Sequence, residues 1–97
     1  MATYVVLFNW TEQGAKGFKD SPSRAESAAK QLEGAGVKLK DIYWTLGPYD
    51  IVGVFEAADD ETATAALLAL GAMGNVRTTT LRAFTSDEFK ALSAKAG

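Results

Sequence analysis

Residues 44–52 read Trp44-Thr45-Leu46-Gly47-Pro48-Tyr49-Asp50-Ile51-Val52, placing a phenol and a carboxylate directly after a Gly-Pro pair. Those two groups are of types that can exchange a proton in acid–base chemistry. The proline ring fixes φ at Pro48, and Gly47 takes backbone angles that other residues avoid, so the pair marks a turn between two apolar runs. Tyr49 and Asp50 are therefore expected to begin a strand at the rim of a sheet. Adjacent strand residues point to opposite faces, so the two could share one substrate proton only if the turn distorted the pleat.

Composition restricts what other chemistry is open to the chain. Without cysteine there is no disulfide, thiolate nucleophile or Cys-ligated metal centre, and without histidine the commonest general base and metal ligand are missing. Catalysis would rest on Asp, Glu, Tyr, Lys, Arg, Ser, Thr or backbone groups. Glu56 shares the parity of Asp50 but lies about 20 Å along the strand at ~3.3 Å per residue, too far for paired-carboxylate hydrolysis. The run Asp59-Asp60-Glu61 is explained by a helix N-terminus, so no metal site is expected. Gly14 and Gly17 follow no phosphate-binding spacing, and Asn9-Trp10-Thr11 matches the glycosylation sequon by chance. No cofactor is expected.

The elements that must position these groups follow from patterning. Tyr4 to Trp10 is rich in β-branched and aromatic residues and reads as a strand. Thr11 to Ser21 is polar with two glycines, a loop with at most one helical turn. Ser21-Pro22 reads as a cap followed by proline at the first helical position, opening a helix through Ala25, Ala28, Ala29 and Leu32 that stops at Gly34-Ala35-Gly36. Val37 to Leu46 is the second strand, and Lys38-Leu39-Lys40 marks it as an edge. Tyr49 to Glu56 is the third. Asp59 caps a second helix carrying Ala65, Leu67, Leu68 and Leu70 and ending near Gly71 and Gly74. Val76 to Phe84 is a threonine-rich fourth strand, and Ser86 caps a short C-terminal helix through Phe89 and Leu92.

The 97 residues form one domain in this reading, residues 1–97, with 47% hydrophobic and 23% charged content typical of a folded chain. A net charge of −2 gives no basic field for nucleic acid. No apolar run approaches the ~20 residues of a membrane span, and the N-terminus lacks the basic segment of a secretory leader. A cytoplasmic location without membrane or nucleic-acid partners is expected.

The order βαββαβ is that of a ferredoxin-like α+β sandwich, a four-stranded antiparallel sheet with both long helices on one face and a short C-terminal helix appended. Strand one lies between strands three and four, with strand two at an edge. A sheet covered on one side should alternate apolar and polar residues. Strand one instead sets Tyr4, Val6, Phe8 and Trp10 against Val5 and Leu7, and strand three sets Ile51 and Phe55 against Val52 and Val54. Both faces are apolar. The uncovered one predicts a homodimer whose sheets pack face to face into a dimeric α/β barrel.

This topology gathers candidate ligand-binding groups at one end: Asn9, Trp10 and Thr11 beside Tyr49, Asp50, Arg77 and Thr78, with Arg24 in range. An amide, hydroxyls, a phenol, a carboxylate, guanidinium groups and an indole suit a small polar ligand. Alternatively, Asp50 pairs with Arg24 or Arg77 and fastens the loop to the sheet. Thr78, Thr80 and Arg82 share one face and would form a polar strip in a barrel lined by Phe8, Trp10, Phe55 and Phe84, for ligand binding or for hydrogen bonds across the dimer.

Several strings in the chain resemble the GYD-domain family of small bacterial and archaeal proteins. They are Tyr4-Val5-Val6-Leu7-Phe8-Asn9-Trp10-Thr11-Glu12-Gln13-Gly14, Lys19-Asp20-Ser21-Pro22-Ser23-Arg24, Tyr43-Trp44-Thr45-Leu46-Gly47-Pro48-Tyr49-Asp50, Glu56-Ala57-Ala58-Asp59-Asp60-Glu61 and Gly74 to Phe84. The match spans nearly the whole chain; Pro48, in place of a charged or polar residue, and Ala58, in place of a proline, depart from it within turns. The resemblance implies the dimeric α/β-barrel superfamily and no assigned activity. Two functional expectations stand: a small-molecule-binding, structural or regulatory homodimeric module, or a cofactor-free enzyme of monooxygenase or isomerase type using the barrel cavity.

Overall fold

In the computed structural model, which describes residues 1–97, the first strand organises everything else. β1 (Ala2–Trp10) buries Tyr4, Val6 and Phe8 almost completely and leaves Val5 and Leu7 half-exposed between them. It is followed by α1 (Glu12–Lys16), a 3₁₀ turn over Phe18–Asp20, α2 (Ser21–Gly34), β2 (Val37–Trp44), β3 (Ile51–Ala57), α3 (Asp60–Gly71), β4 (Val76–Ala83) and α4 (Ser86–Lys95). The sheet is antiparallel in the order β2-β3-β1-β4, the expected ferredoxin-like arrangement.

α2 and α3 cover one face only. Leu32 from α2 and Ala63, Ala66 and Leu67 from α3 join Tyr4, Val6, Phe8, Val37, Ile51 and Phe55 in the core. Each large side chain buried there contributes about 1.5–3 kcal/mol relative to exposure. On the opposite face Val5 registers with Val54 and Leu81, and Leu7 with Val52, while Tyr43 flanks Val52. No helix crosses this side; Leu81 and Tyr43 are 48% and 58% exposed.

Strand ends and caps depart from the sequence expectation in small ways. β2 stops at Trp44 rather than Leu46 and β3 starts at Ile51 rather than Tyr49, so Tyr49 and Asp50 belong to the turn. That turn is held by Thr45 N–H donating to the Asp50 carbonyl at 2.9 Å, with Gly47 at φ 121°. Ser21 does not cap α2. The preceding 3₁₀ turn already puts Asp20 in helical angles, so Ser21 enters the helix and its buried Oγ accepts from Trp44 Nε1 at 2.9 Å. Thr85, not Ser86, caps α4, in a reciprocal pair with Glu88. Asp59 caps α3 as expected, accepting from Thr62 N–H at 2.8 Å.

Two further features shape the surface. α4 projects from the body, its Phe89 62% exposed, and the molecule measures 50 × 30 × 18 Å. The β2 edge carries a bulge between Leu39 and Asp41, beside Lys40, which pairs with Glu56 at 3.8 Å. No helix is long and apolar enough to cross a membrane.

Candidate functional site

At the rim the fold brings Asn9, Trp10 and Thr11 beside the Pro48–Asp50 turn and the Gly74–Asn75 turn, and hydrogen bonds within the fold account for much of the polarity there. Where β1 runs past the start of β3, the Trp10 N–H has no β3 partner, and Asp50 Oδ2 accepts from it at 2.9 Å. The Asp50 N–H donates to the Phe8 carbonyl at 2.9 Å, so the residue clamps the hairpin to β1 through side chain and backbone together. Asn9 Nδ2 donates to the Pro48 carbonyl at 2.7 Å. Tyr49 enters through its carbonyl, which accepts from Thr45 Oγ1 at 2.6 Å. Thr11 ties the other side: its N–H donates to the Asn75 carbonyl at 3.1 Å, and Oγ1 donates to the Gly74 carbonyl while accepting from Gly14 N–H.

Arg24 reaches this end from α2 but does not meet Asp50. Its guanidinium donates to the Gly17 carbonyl at 2.7 Å and the Gly14 carbonyl at 3.2 Å, gathering the α1 loop, and it forms no ion pair. Arg77 lies exposed opposite Asn9, likewise without a carboxylate partner. The expected salt bridge from Asp50 to either arginine is absent because Asp50 is already engaged by backbone N–H.

Of the remaining candidates, Thr78 pairs with Phe8 beside the rim, while Thr80 and Arg82 lie progressively further from it. Register sets Val76, Thr78, Thr80 and Arg82 opposite Trp10, Phe8, Val6 and Tyr4, which is the helix-covered face. The polar strip therefore does not line the open face, as the barrel reading required. Arg82 sits at the far end, six residues along β1 or about 20 Å from the rim. There it stacks 4.4 Å from the Phe84 ring centroid and 5.6 Å from that of Tyr4, and its Nε lies 4.0 Å from Asp60 Oδ1. Tyr4 Oη donates to Asp60 Oδ1 at 2.5 Å. Burial of the ring, then the hydrogen bond and negative charge of Asp60, push the phenol up to about 12. Arg82 opposes that rise. The cluster anchors the start of α3 to β1, and its phenol stays protonated at neutral pH.

A cavity of about 380 Å³ opens between α2 and the sheet, which sequence reasoning missed. Its floor is Phe8, Ile51 and Phe55, the two phenyl rings 6.2 Å apart and tilted by 56°. Its roof is Ala25, Ala28 and Ala29, side chains too short to reach the sheet. The available signal was the spacing of those alanines on one helix face opposite the aromatic face of β1. Trp10 and Arg24 are the rim candidates that also line it; Thr78, Thr80 and Arg82 do not. Phe84 belongs to a separate shallow pocket against α4.

Comparison with known proteins adds three findings. The family model described as the GYD domain matches residues 4–92. A Thermus thermophilus protein named "Glutamine synthetase and cystathionine beta-lyase binding protein" is 40% identical over 84 residues, covering 86% of this chain and 88% of that one. The crystal structure of TTHA0845, also from Thermus thermophilus, superposes with a TM-score of 0.56 at 24% identity, covering 89% of this chain and 96% of the other, which supports the fold.

Proposed function

The chain belongs to the GYD domain family, and on that footing we propose that it is a non-catalytic binding module that acts as a homodimer and docks onto partner enzymes. The observation that carries the dimer is the open sheet face of Val5, Leu7, Val52, Val54, Leu81 and Tyr43, a contiguous apolar surface of the kind that marks protein interaction, and docking onto enzymes would use the remaining surface of the pair. Two copies related by a two-fold axis would bury that face against itself, because an isologous contact needs only one self-complementary patch. The relative's printed name supplies the class of partner, and glutamine synthetase is the first to test.

The enzyme alternative has less support. Asp50 is occupied in holding backbone, Tyr4 keeps its proton well above neutrality, and the side chains lining the cavity include no carboxylate or phenol. A general base is what that reading needs.

The test has two parts. Light scattering behind a sizing column should give a dimer mass for the wild type and a monomer mass for Leu7→Arg, whose charge would face its own copy across the two-fold. Biolayer interferometry with glutamine synthetase of the same organism should then show saturable binding. A monomeric wild type at sub-millimolar concentration rejects the dimer, and absence of saturable binding to glutamine synthetase rejects that partner.

A further inference from the structure

Protein interiors are packed as densely as organic crystals, with few voids larger than a water molecule. The cavity beneath α2, at about 380 Å³, is far larger than such a void. It opens to solvent past the exposed Ser23, Ser27 and Met73, but its floor and roof are apolar and give water few of the two to four partners it requires. The volume falls within the range of ~300–1,000 Å³ typical of small-molecule sites. The cavity follows from side-chain size: it lies where three alanines of α2 face two phenyl rings, and the buried Leu32, one turn beyond Ala28, lines it as well.

The polar lining is sparse: Ser21, Ser23, Ser27 and Asn75 join Arg24, and the buried Trp10 Nε1 has no hydrogen-bond partner. Arg24 is half-buried and uses donors on two nitrogens for the carbonyls of Gly14 and Gly17. A guanidinium carries five N–H donors, so three remain. No carboxylate lies within ion-pair distance of it, and none lines the cavity. A partly desolvated cation without a counter-charge is unfavourable, and a planar carboxylate matches its remaining donors.

From these observations we infer that the cavity between α2 and the sheet binds a small amphipathic carboxylate, its apolar body resting on Phe8, Phe55 and Ala28 and its carboxylate on Arg24. The ligand class is a medium-chain aliphatic or arylalkyl acid. This site is independent of the open sheet face and stands whether or not the chain docks on an enzyme.

Octanoate and octan-1-ol are suitable probes, alike in apolar body and different in head group. Titrated into the wild-type chain and followed by tryptophan emission, with Trp10 in the cavity wall as reporter, octanoate should saturate one site per chain. It should bind about tenfold or more tightly than octan-1-ol, as a charge-assisted pair implies. Arg24→Gln should erase that preference while octan-1-ol binding persists, and Arg24→Lys should retain part of it. Ala28→Phe should fill the void and abolish binding of both probes. Equal affinity of the two probes for the wild type would overturn the carboxylate assignment without recourse to any variant. Non-saturable octanoate binding, or undiminished binding to folded Ala28→Phe, would overturn the site itself.

Discussion

Replacing Asp50 separates a structural clamp from a reactive carboxylate. In Asp50→Ala the Trp10 N–H loses its acceptor at 2.9 Å, while the backbone bonds from Asp50 to Phe8 and from Thr45 to Asp50 can persist. A hydrogen bond to a charged acceptor is worth about 1.5–3 kcal/mol, and the half-buried position of Asp50 favours the lower part of that range. For 97 residues at about 2.1 cal/mol/K each, the unfolding entropy is ~0.2 kcal/mol/K, so a loss of ~1.5–2 kcal/mol lowers the melting temperature by about 7–10 °C. Asp50→Asn retains a neutral acceptor and should cost less than about 1 kcal/mol, under ~5 °C. Calorimetry at one fixed protein concentration measures both. A cycle with Arg77→Gln adds a second criterion: since Asp50 forms no ion pair, the two substitutions should add within about 0.5 kcal/mol. An Asp50→Ala protein as stable as wild type, or strong coupling to Arg77, would refute the clamp.

Three other outcomes are expected. A Cβ on Gly14 would stand 2.0 Å from the Asn75 carbonyl oxygen, so Gly14→Ala must displace the α3–β4 turn and should lower the unfolding free energy measured by urea titration by about 1–3 kcal/mol. Tyr4 holds its proton to about 12 in the folded state against an ordinary 10.0, so its share of stability is present below pH 10 and is lost as pH rises from 10 to 12; Tyr4→Phe should flatten the alkaline limb of the stability–pH curve. Thr85→Ala removes the reciprocal cap and should weaken α4 by about 1 kcal/mol. Amide exchange across the first turns of α4 should then quicken, while the global unfolding midpoint hardly moves, because no α4 side chain belongs to the core.

Much of the fold was legible because the strongest signals were periodic. The opposed apolar sets of β1 and β3 gave both the strand assignment and the expectation of two apolar faces, and the glycines after each helix marked its end. The caps were less legible for local reasons. At Ser21 a 3₁₀ turn had already bent the chain into helical angles, so no extended cap residue was needed. At Thr85 the threonine–glutamate spacing of a capping box was present, but an adjacent serine competed for the same role. The neighbourhood of the rim was also readable from topology, whereas its bonding was not. Whether Asp50 meets an arginine or a backbone N–H depends on how far β1 overruns β3. Likewise, assigning Thr78, Thr80 and Arg82 to a face needed the pairing of Trp10 with Val76, a register no local pattern encodes. The cavity was hidden most deeply, since it arises from the height of α2 above the sheet.

The bulge at Leu39–Asp41 has a consequence for how large any assembly can grow. An unbroken edge strand presents a row of free N–H and C=O groups on which another sheet can be extended indefinitely. Here the edge is offset in register and carries Lys38 and Lys40, so stacking a further strand would meet misaligned groups and repelled charge. Extension of the sheet past β2 into end-to-end ribbons is thereby disfavoured, whereas the two-fold contact proposed above would close on itself and growth would stop at two copies. An apolar face is tolerable when the geometry around it permits only a finite particle.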